Sequence, residues 1–168
     1  MFERYTEAAR RALFFARYAV SRHRGDAIAP EHLLLGLLRA QYADLGGATF
    51  EQTTSAPTSL ESAGVERATV EGRLTAMGPA IPTGVEVPFT ASVKRVLLDA
   101  EREANQMSAK PITTGHLLLG LLQAEGTAAF TILYDAGVRL NDARLRVEAD
   151  VAAGVEPLPP EYDDRLPS

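Results

Sequence analysis

Apolar residues in the first part of the chain recur at Ala9, Leu13, Ala16 and Val20, the three-to-four-residue spacing that puts one face of a helix against a core. Thr6 stands just before this run as an N-cap, Glu7 follows in the first turn where an acid suits the helix dipole, and Gly25 closes the segment. A second helix is expected to open at Pro30, whose fixed φ suits a first helical position, and to run through His32-Leu33-Leu34-Leu35-Gly36-Leu37-Leu38 to about Arg39. A third should stop at Gly64, a typical left-handed cap, and a fourth should cover about Glu66 to Met77. The pattern then starts again. Thr90 caps a first helix, Thr113 or Thr114 a second, Gly137 ends a third, and Asn141 caps a fourth that reaches about Ala152. No segment reads convincingly as a strand.

The recurrence is an internal repeat. Shifted by 84 residues, Thr6 to Gln41 lies over Thr90 to Glu125 without a gap, and 13 of those 36 positions are identical, most of them in the His-Leu-Leu-Leu-Gly-Leu-Leu block. Arg11 falls on Arg95, Leu13 on Leu97 and Ile28 on Ile112, while Tyr5 falls on Phe89 and keeps an aromatic ring. Further on, Leu60 to Val65 matches Leu133 to Val138 at an offset of 73, so the first copy holds 11 extra residues within Tyr42 to Ser59. That stretch is rich in Gly, Thr and Ser and reads as a surface loop. The expected architecture is all-α: two tandem four-helix repeats packed as one pseudo-twofold bundle over residues 1–152. Repeat one covers 1–77, a Gly- and Pro-containing linker 78–87, and repeat two 88–152. Residues 153–168, acidic and Pro-rich from Glu156 onward, are expected to be extended or disordered.

Composition narrows the function. The chain has 168 residues and no cysteine, which removes disulfides, thiolate metal sites and cysteine nucleophiles, and fits a reducing, cytoplasmic setting. A net charge of −5 argues against nucleic-acid binding. The apolar runs are too short to span a bilayer, and the start Met1-Phe2-Glu3-Arg4 lacks a signal-peptide pattern. No glycine is followed by lysine, so there is no phosphate-cradling P-loop, and no Gly-x-Ser-x-Gly elbow marks a nucleophile. His32 and His116 each open a Leu-rich helix with no second His or Cys at ligand spacing, so they read as buried capping residues and not as metal ligands. Glu101-Arg102-Glu103 and Asp163-Asp164 read as solvated charge. No catalytic residue, metal or cofactor is expected.

The stretches RYTEAARRAL with PEHLLLGLL, and PFTASVKRVL with TGHLLLGLL, resemble the double N-terminal repeat of the Clp ATPases, the ClpC type in particular. The resemblance covers about residues 1–152 and implies a monomeric protein-recognition module. Its implied partners are a Clp unfoldase, its adaptors or its substrates, phosphoarginine-marked ones included. The family's ATPase modules do not occur in these 168 residues, and the stretch after Gly154 does not look like the start of one, which we read as a stand-alone domain.

The residues suggest two sites. Thr6 and Thr90 would place free N–H groups and positive dipole ends near the surface, Arg10 and Lys94 follow one turn later, and Glu31 offers a carboxylate to a guanidinium. Gly115 stands where the resemblance calls for a second glutamate, so the site containing Glu31 should be the better one. Helix capping accounts equally for Thr6, Thr90 and Glu31. Phe2 and Phe89 sit at matching ends of the copies, where the family takes partners and cyclic-peptide antibiotics, with Lys94 close by. Sequestration of such hydrophobic cyclic peptides is the alternative function, and a hydrophobic staple onto the following helix is the plain structural account of both rings.

Overall fold

The structure, a computed structural model, describes residues 2–23, 25–40, 42–45, 48–51, 60, 63–74 and 86–156. Helix α1 spans Glu7–Arg22, and its Thr6 cap accepts a hydrogen bond from the Ala9 N–H at 3.1 Å. Helix α2 spans Pro30–Arg39. The matching pair in the second copy is α4, Ala91–Gln106, capped by Thr90 through the Val93 N–H at 3.2 Å, and α5, Thr114–Leu121, capped by Thr113. Between the pairs lies α3, Arg67–Glu71; after them come α6, Ala128–Asp135, and α7, Leu140–Ala152. Helix α1 packs chiefly on α2 and α4 on α5, while α2 and α5 meet in the middle, so the two copies share one apolar core.

The glycine of each Leu-rich block explains why these helices cross so closely. A Cβ built on Gly36 would lie 2.0 Å from the Ala12 carbonyl oxygen of α1, and one on Gly120 would lie 2.4 Å from the Val96 carbonyl oxygen of α4. Hydrogen is the only side chain that fits between the two backbones. The flanking leucines Leu33, Leu34, Leu37, Leu117, Leu118, Leu119 and Leu121 are fully buried around these crossings.

The two copies are also tied reciprocally. The Thr6 N–H donates to the Ile112 carbonyl at 3.1 Å, and the Ile112 N–H donates to the Arg4 carbonyl at 2.7 Å. The equivalent bonds run the other way, from Ile28 N–H to the Pro88 carbonyl at 2.8 Å and from Thr90 N–H to the Ile28 carbonyl at 3.0 Å. Each copy's entry into its first helix is therefore held by the other copy's lead into its second. The third-helix ends match as well: Gly64 and Gly137 take φ values of 78° and 85°, and Val65 and Val138 each return an N–H to Leu60 and Leu133 at 3.0 Å.

Five sequence expectations change. The insertion holds two antiparallel strands, Tyr42–Leu45 paired with Ala48–Glu51, although no strand was expected. The fold stays all-α around this small addition. Helix α3 stops at Glu71 instead of reaching Met77, with only Val70 buried to hold it, and residues 75–77 lie outside the described residues. Helix α7 has Arg139 at its N-cap position, two residues before the expected cap Asn141, and starts at Leu140. Glu103 is not solvated. It is 4% exposed and receives both Arg144 Nε at 2.9 Å and Arg144 Nη2 at 2.6 Å, with Gln123 Nε2 at 3.0 Å, which pins α7 and α5 to α4. Finally, Glu156 is buried and hydrogen-bonded and not part of an extended tail. The body of the expected third helix of copy one, most of the linker and residues 157–168 lie outside the described residues.

Two outcomes test this packing. Gly36→Ala should cost about 3 kcal/mol or more, because the methyl group meets backbone that cannot step aside, and should lower the melting temperature by about 6–12 °C. Arg144→Ala should cost about 3–5 kcal/mol by leaving the Glu103 carboxylate buried without its cation, measured by urea unfolding; Gln replacing Glu103 in the same background should recover part of the loss.

Candidate functional site

The reciprocal bridges bring the starts of both copies together. The Phe2 and Phe89 rings meet edge-on with centroids 6.4 Å apart, and Phe2 also meets Tyr5 edge-on at 5.0 Å. They line an open cavity of about 520 Å³ between the copies. Leu98 and Ile112 complete its apolar wall, Leu98 being 56% exposed, and Lys94 and Glu101 stand at its rim. Phe2 and Phe89 are thus more than staples onto their own helices, since each ring faces the other copy. Tyr5, beneath them, is buried; desolvation and the nearby Glu101 push its phenol up to about 12, so it stays a neutral donor at every physiological pH.

The charged residues equivalent by sequence have different positions. Lys94 is exposed and reaches the cavity, whereas Arg10 turns back and donates through Nη2 to the Phe2 carbonyl at 3.1 Å and the Glu3 carbonyl at 3.5 Å. Arg10 therefore shores up the segment that carries Phe2. Thr90 bonds to Ile28 and so lies beside the start of α2, the helix that carries Glu31. Thr6 lies instead beside the start of α5, with Thr114 and Gly115. Each threonine site is composed of residues from both copies, a pairing that the repeat spacing alone does not reveal.

The Thr6 side holds a group that no sequence signal singled out. Glu156 Oε1 accepts from the Thr6 hydroxyl at 2.8 Å and from the Thr114 N–H at 3.0 Å, while Oε2 accepts from the Thr114 hydroxyl. One carboxylate thus closes the N-terminal ends of α1 and α5 together.

Both histidines act as caps. His32 Nδ1 accepts from the Ala29 N–H and His116 Nδ1 from the Thr113 N–H, each at 2.9 Å. This places the neutral-ring proton on Nε2, which in His116 is buried and without a hydrogen-bond partner. Burial pushes both imidazoles down to about 4. Among the described residues no group of three His, Asp or Glu could hold a metal ion, and no helix is long and apolar enough to cross a membrane.

Comparison with known proteins follows the same lines. The profile of the Clp repeat (R) N-terminal domain matches residues 4–136 and 88–163. The chaperone protein ClpC1 of rice chloroplasts (Oryza sativa subsp. japonica) is 34% identical over 157 residues, covering 93% of this chain, which spans only 16% of that relative. Among solved structures, the N-terminal domain of the Clp-associated chaperone ClpD from Arabidopsis thaliana superposes with a TM-score of 0.63 at 24% identity, covering 90% of this chain and 99% of that one. The N-domain of ClpV in complex with a VipB peptide gives a TM-score of 0.63 at 15% identity, over 89% of this chain and 88% of that one, and likewise shares the fold.

The histidine caps give a pH-dependent prediction. The folded-state values of about 4 lie below the ordinary 6.5, so the unfolded chain takes up protons first as pH falls. Their stabilisation is complete above pH 6.5 and is lost between there and about 4, amounting to about 2 kcal/mol per histidine between pH 7 and 5. His116→Gln keeps a capping acceptor without a proton to gain, so its urea-unfolding free energy should fall by about 2 kcal/mol less than the parent's across that interval.

Proposed function

Because the chain belongs to the Clp repeat N-terminal domain family, we propose that it is a non-catalytic recognition module of the Clp proteolytic system, presenting the groove between its two copies to adaptors, to substrates or to a Clp unfoldase. The observation that carries this reading is the cavity walled by Phe2 and Phe89, one ring from each copy, with Leu98 exposed beside them and Lys94 and Glu101 at the rim. An apolar floor with one cation and one anion at its edge suits a hydrophobic side chain flanked by polar backbone. The ClpV N-domain, which shares this fold, has been solved in complex with a VipB peptide. The absence of cysteine fits the reducing interior of a cell, and the cytoplasm is the compartment this reading assigns.

The finer form of the proposal adds an anionic mark. The helix starts that Thr6 and Thr90 cap, with Glu31 in the first turn of the helix that begins near Thr90, would offer donors to a phosphoryl group and an acceptor to a guanidinium, the two halves of phosphoarginine. The same cavity is also of a size to hold an apolar residue of a hydrophobic cyclic peptide, which favours sequestration of such ligands as a second reading.

A fluorescent hydrophobic cyclic peptide is a direct probe of the cavity. Phe2→Ala with Phe89→Ala should weaken its binding at least about tenfold, the worth of losing two aromatic contacts in a partly dry pocket. Lys94→Glu alters the rim without touching the core and should change affinity for acidic and basic peptides in opposite directions. Parent-like binding by both variants would remove the cavity from the proposal.

A further inference from the structure

Glu156 is only 6% exposed, and its carboxylate accepts hydrogen bonds from the Thr6 hydroxyl of one copy and from the Thr114 hydroxyl and backbone amide of the other. All three donors are themselves inaccessible: Thr6 is 1% exposed and Thr114 0%. The carboxylate is thus the anion in a formed oxyanion pocket at the joined ends of α1 and α5, two helices of 16 and 8 residues. The pocket exists on one side of the pseudo-twofold only. Under the 84-residue shift Thr6 corresponds to Thr90, but Thr114 corresponds to Pro30, which has neither the N–H nor the hydroxyl that Thr114 contributes.

The occupant arrives on a short tether. Helix α7 ends at Ala152, Gly154 takes a φ of 67°, and the Val155 N–H closes the turn on the Asp150 carbonyl at 3.1 Å. Glu156 follows at once, so this single turn places the carboxylate relative to α7.

The geometry points to Glu156 as a built-in competitor: it occupies the Thr6–Thr114 pocket as an internal stand-in for a phosphoryl group on a partner protein, and the pocket opens when the turn at Gly154 releases it. This rests on the reading of Thr6 as an anion-binding residue and adds its regulation. A phosphoryl group brings three acceptor oxygens to the same donors, and its apparent affinity is reduced by the fraction of molecules in which Glu156 is seated. The asymmetry sets the two sides apart: the Thr6 side carries the Thr114 donors, already matched by Glu156, whereas Pro30 on the Glu31 side supplies none.

The experiment titrates the full chain and its Glu156→Ala and Glu156→Gln variants with a peptide bearing one phosphoarginine and with its unmodified twin. Calorimetry reads affinity, and amide NMR shifts read the location. The expected result is binding of the marked peptide about tenfold tighter to Glu156→Ala than to the parent, an intermediate gain for Glu156→Gln, and shifts centred on Thr6 and Thr114. Equal affinity for parent and variants would overturn the competitor role while leaving the anion-binding reading intact. No binding to any of the three, with thermal melting showing them folded, would overturn both, and Glu156 would then be a structural cap alone. Should the alanine variant fail to fold, the glutamine variant, which keeps the side chain's size and an acceptor oxygen, carries the comparison alone.

Discussion

Four backbone hydrogen bonds exchanged between the copies set everything else in this molecule. Arg4, Thr6 and Ile112 form one bridge, and Ile28, Pro88 and Thr90 form its counterpart. A helix start in one copy is fixed against the lead-in of a helix in the other, so neither copy has a complete N-terminal end alone. The apolar core requires the same arrangement, since α2 and α5 are hydrophobic on most of their surfaces and bury each other at the centre. Gly36 and Gly120 then allow α1 and α4 to lie against this central pair at backbone contact.

That exchange also creates the sites. The Phe2 and Phe89 rings come together because their segments are the strands of the two bridges, and the cavity opens where these segments leave the core. The Thr6–Thr114 pocket forms at the same seam, from the end of a helix in each copy. Because both proposed binding surfaces lie on one internal seam, ligand binding there would be coupled to the packing of the halves. Ligands that bridge the copies will stabilise the fold by mass action.

Duplication with divergence has left the seam asymmetric. Arg10 braces the N-terminal segment where Lys94 faces the cavity. Thr114 gives two donors where Pro30 gives none. The second copy gains a buried Glu103–Arg144 pair that fastens its last helix; the position equivalent to Glu103 in the first copy is Ala19. Two related copies therefore meet with different chemistry on their two sides.

The sequence by itself determined the local elements and their duplication. Thr6, Thr90, Pro30, Gly64 and Gly137 are helix signals that act within a turn of the chain, and each takes the position its own backbone chemistry dictates. The caps of His32 and His116 are legible for the same reason, as an acceptor three residues past an N-cap. The paired strands in the insertion were hidden because weak local preference gave way to cross-strand pairing, and the early end of α3 because only Val70 is buried to hold that helix. What only the tertiary structure decided is which distant groups share a site: Thr6 with Thr114 and not with Glu31, Glu103 with Arg144, and Glu156 with both helix starts. No periodicity encodes these pairs, because their partners lie 40 to 150 residues apart and meet only through the exchange of chain between the copies, where burial demands that every donor and carboxylate be matched.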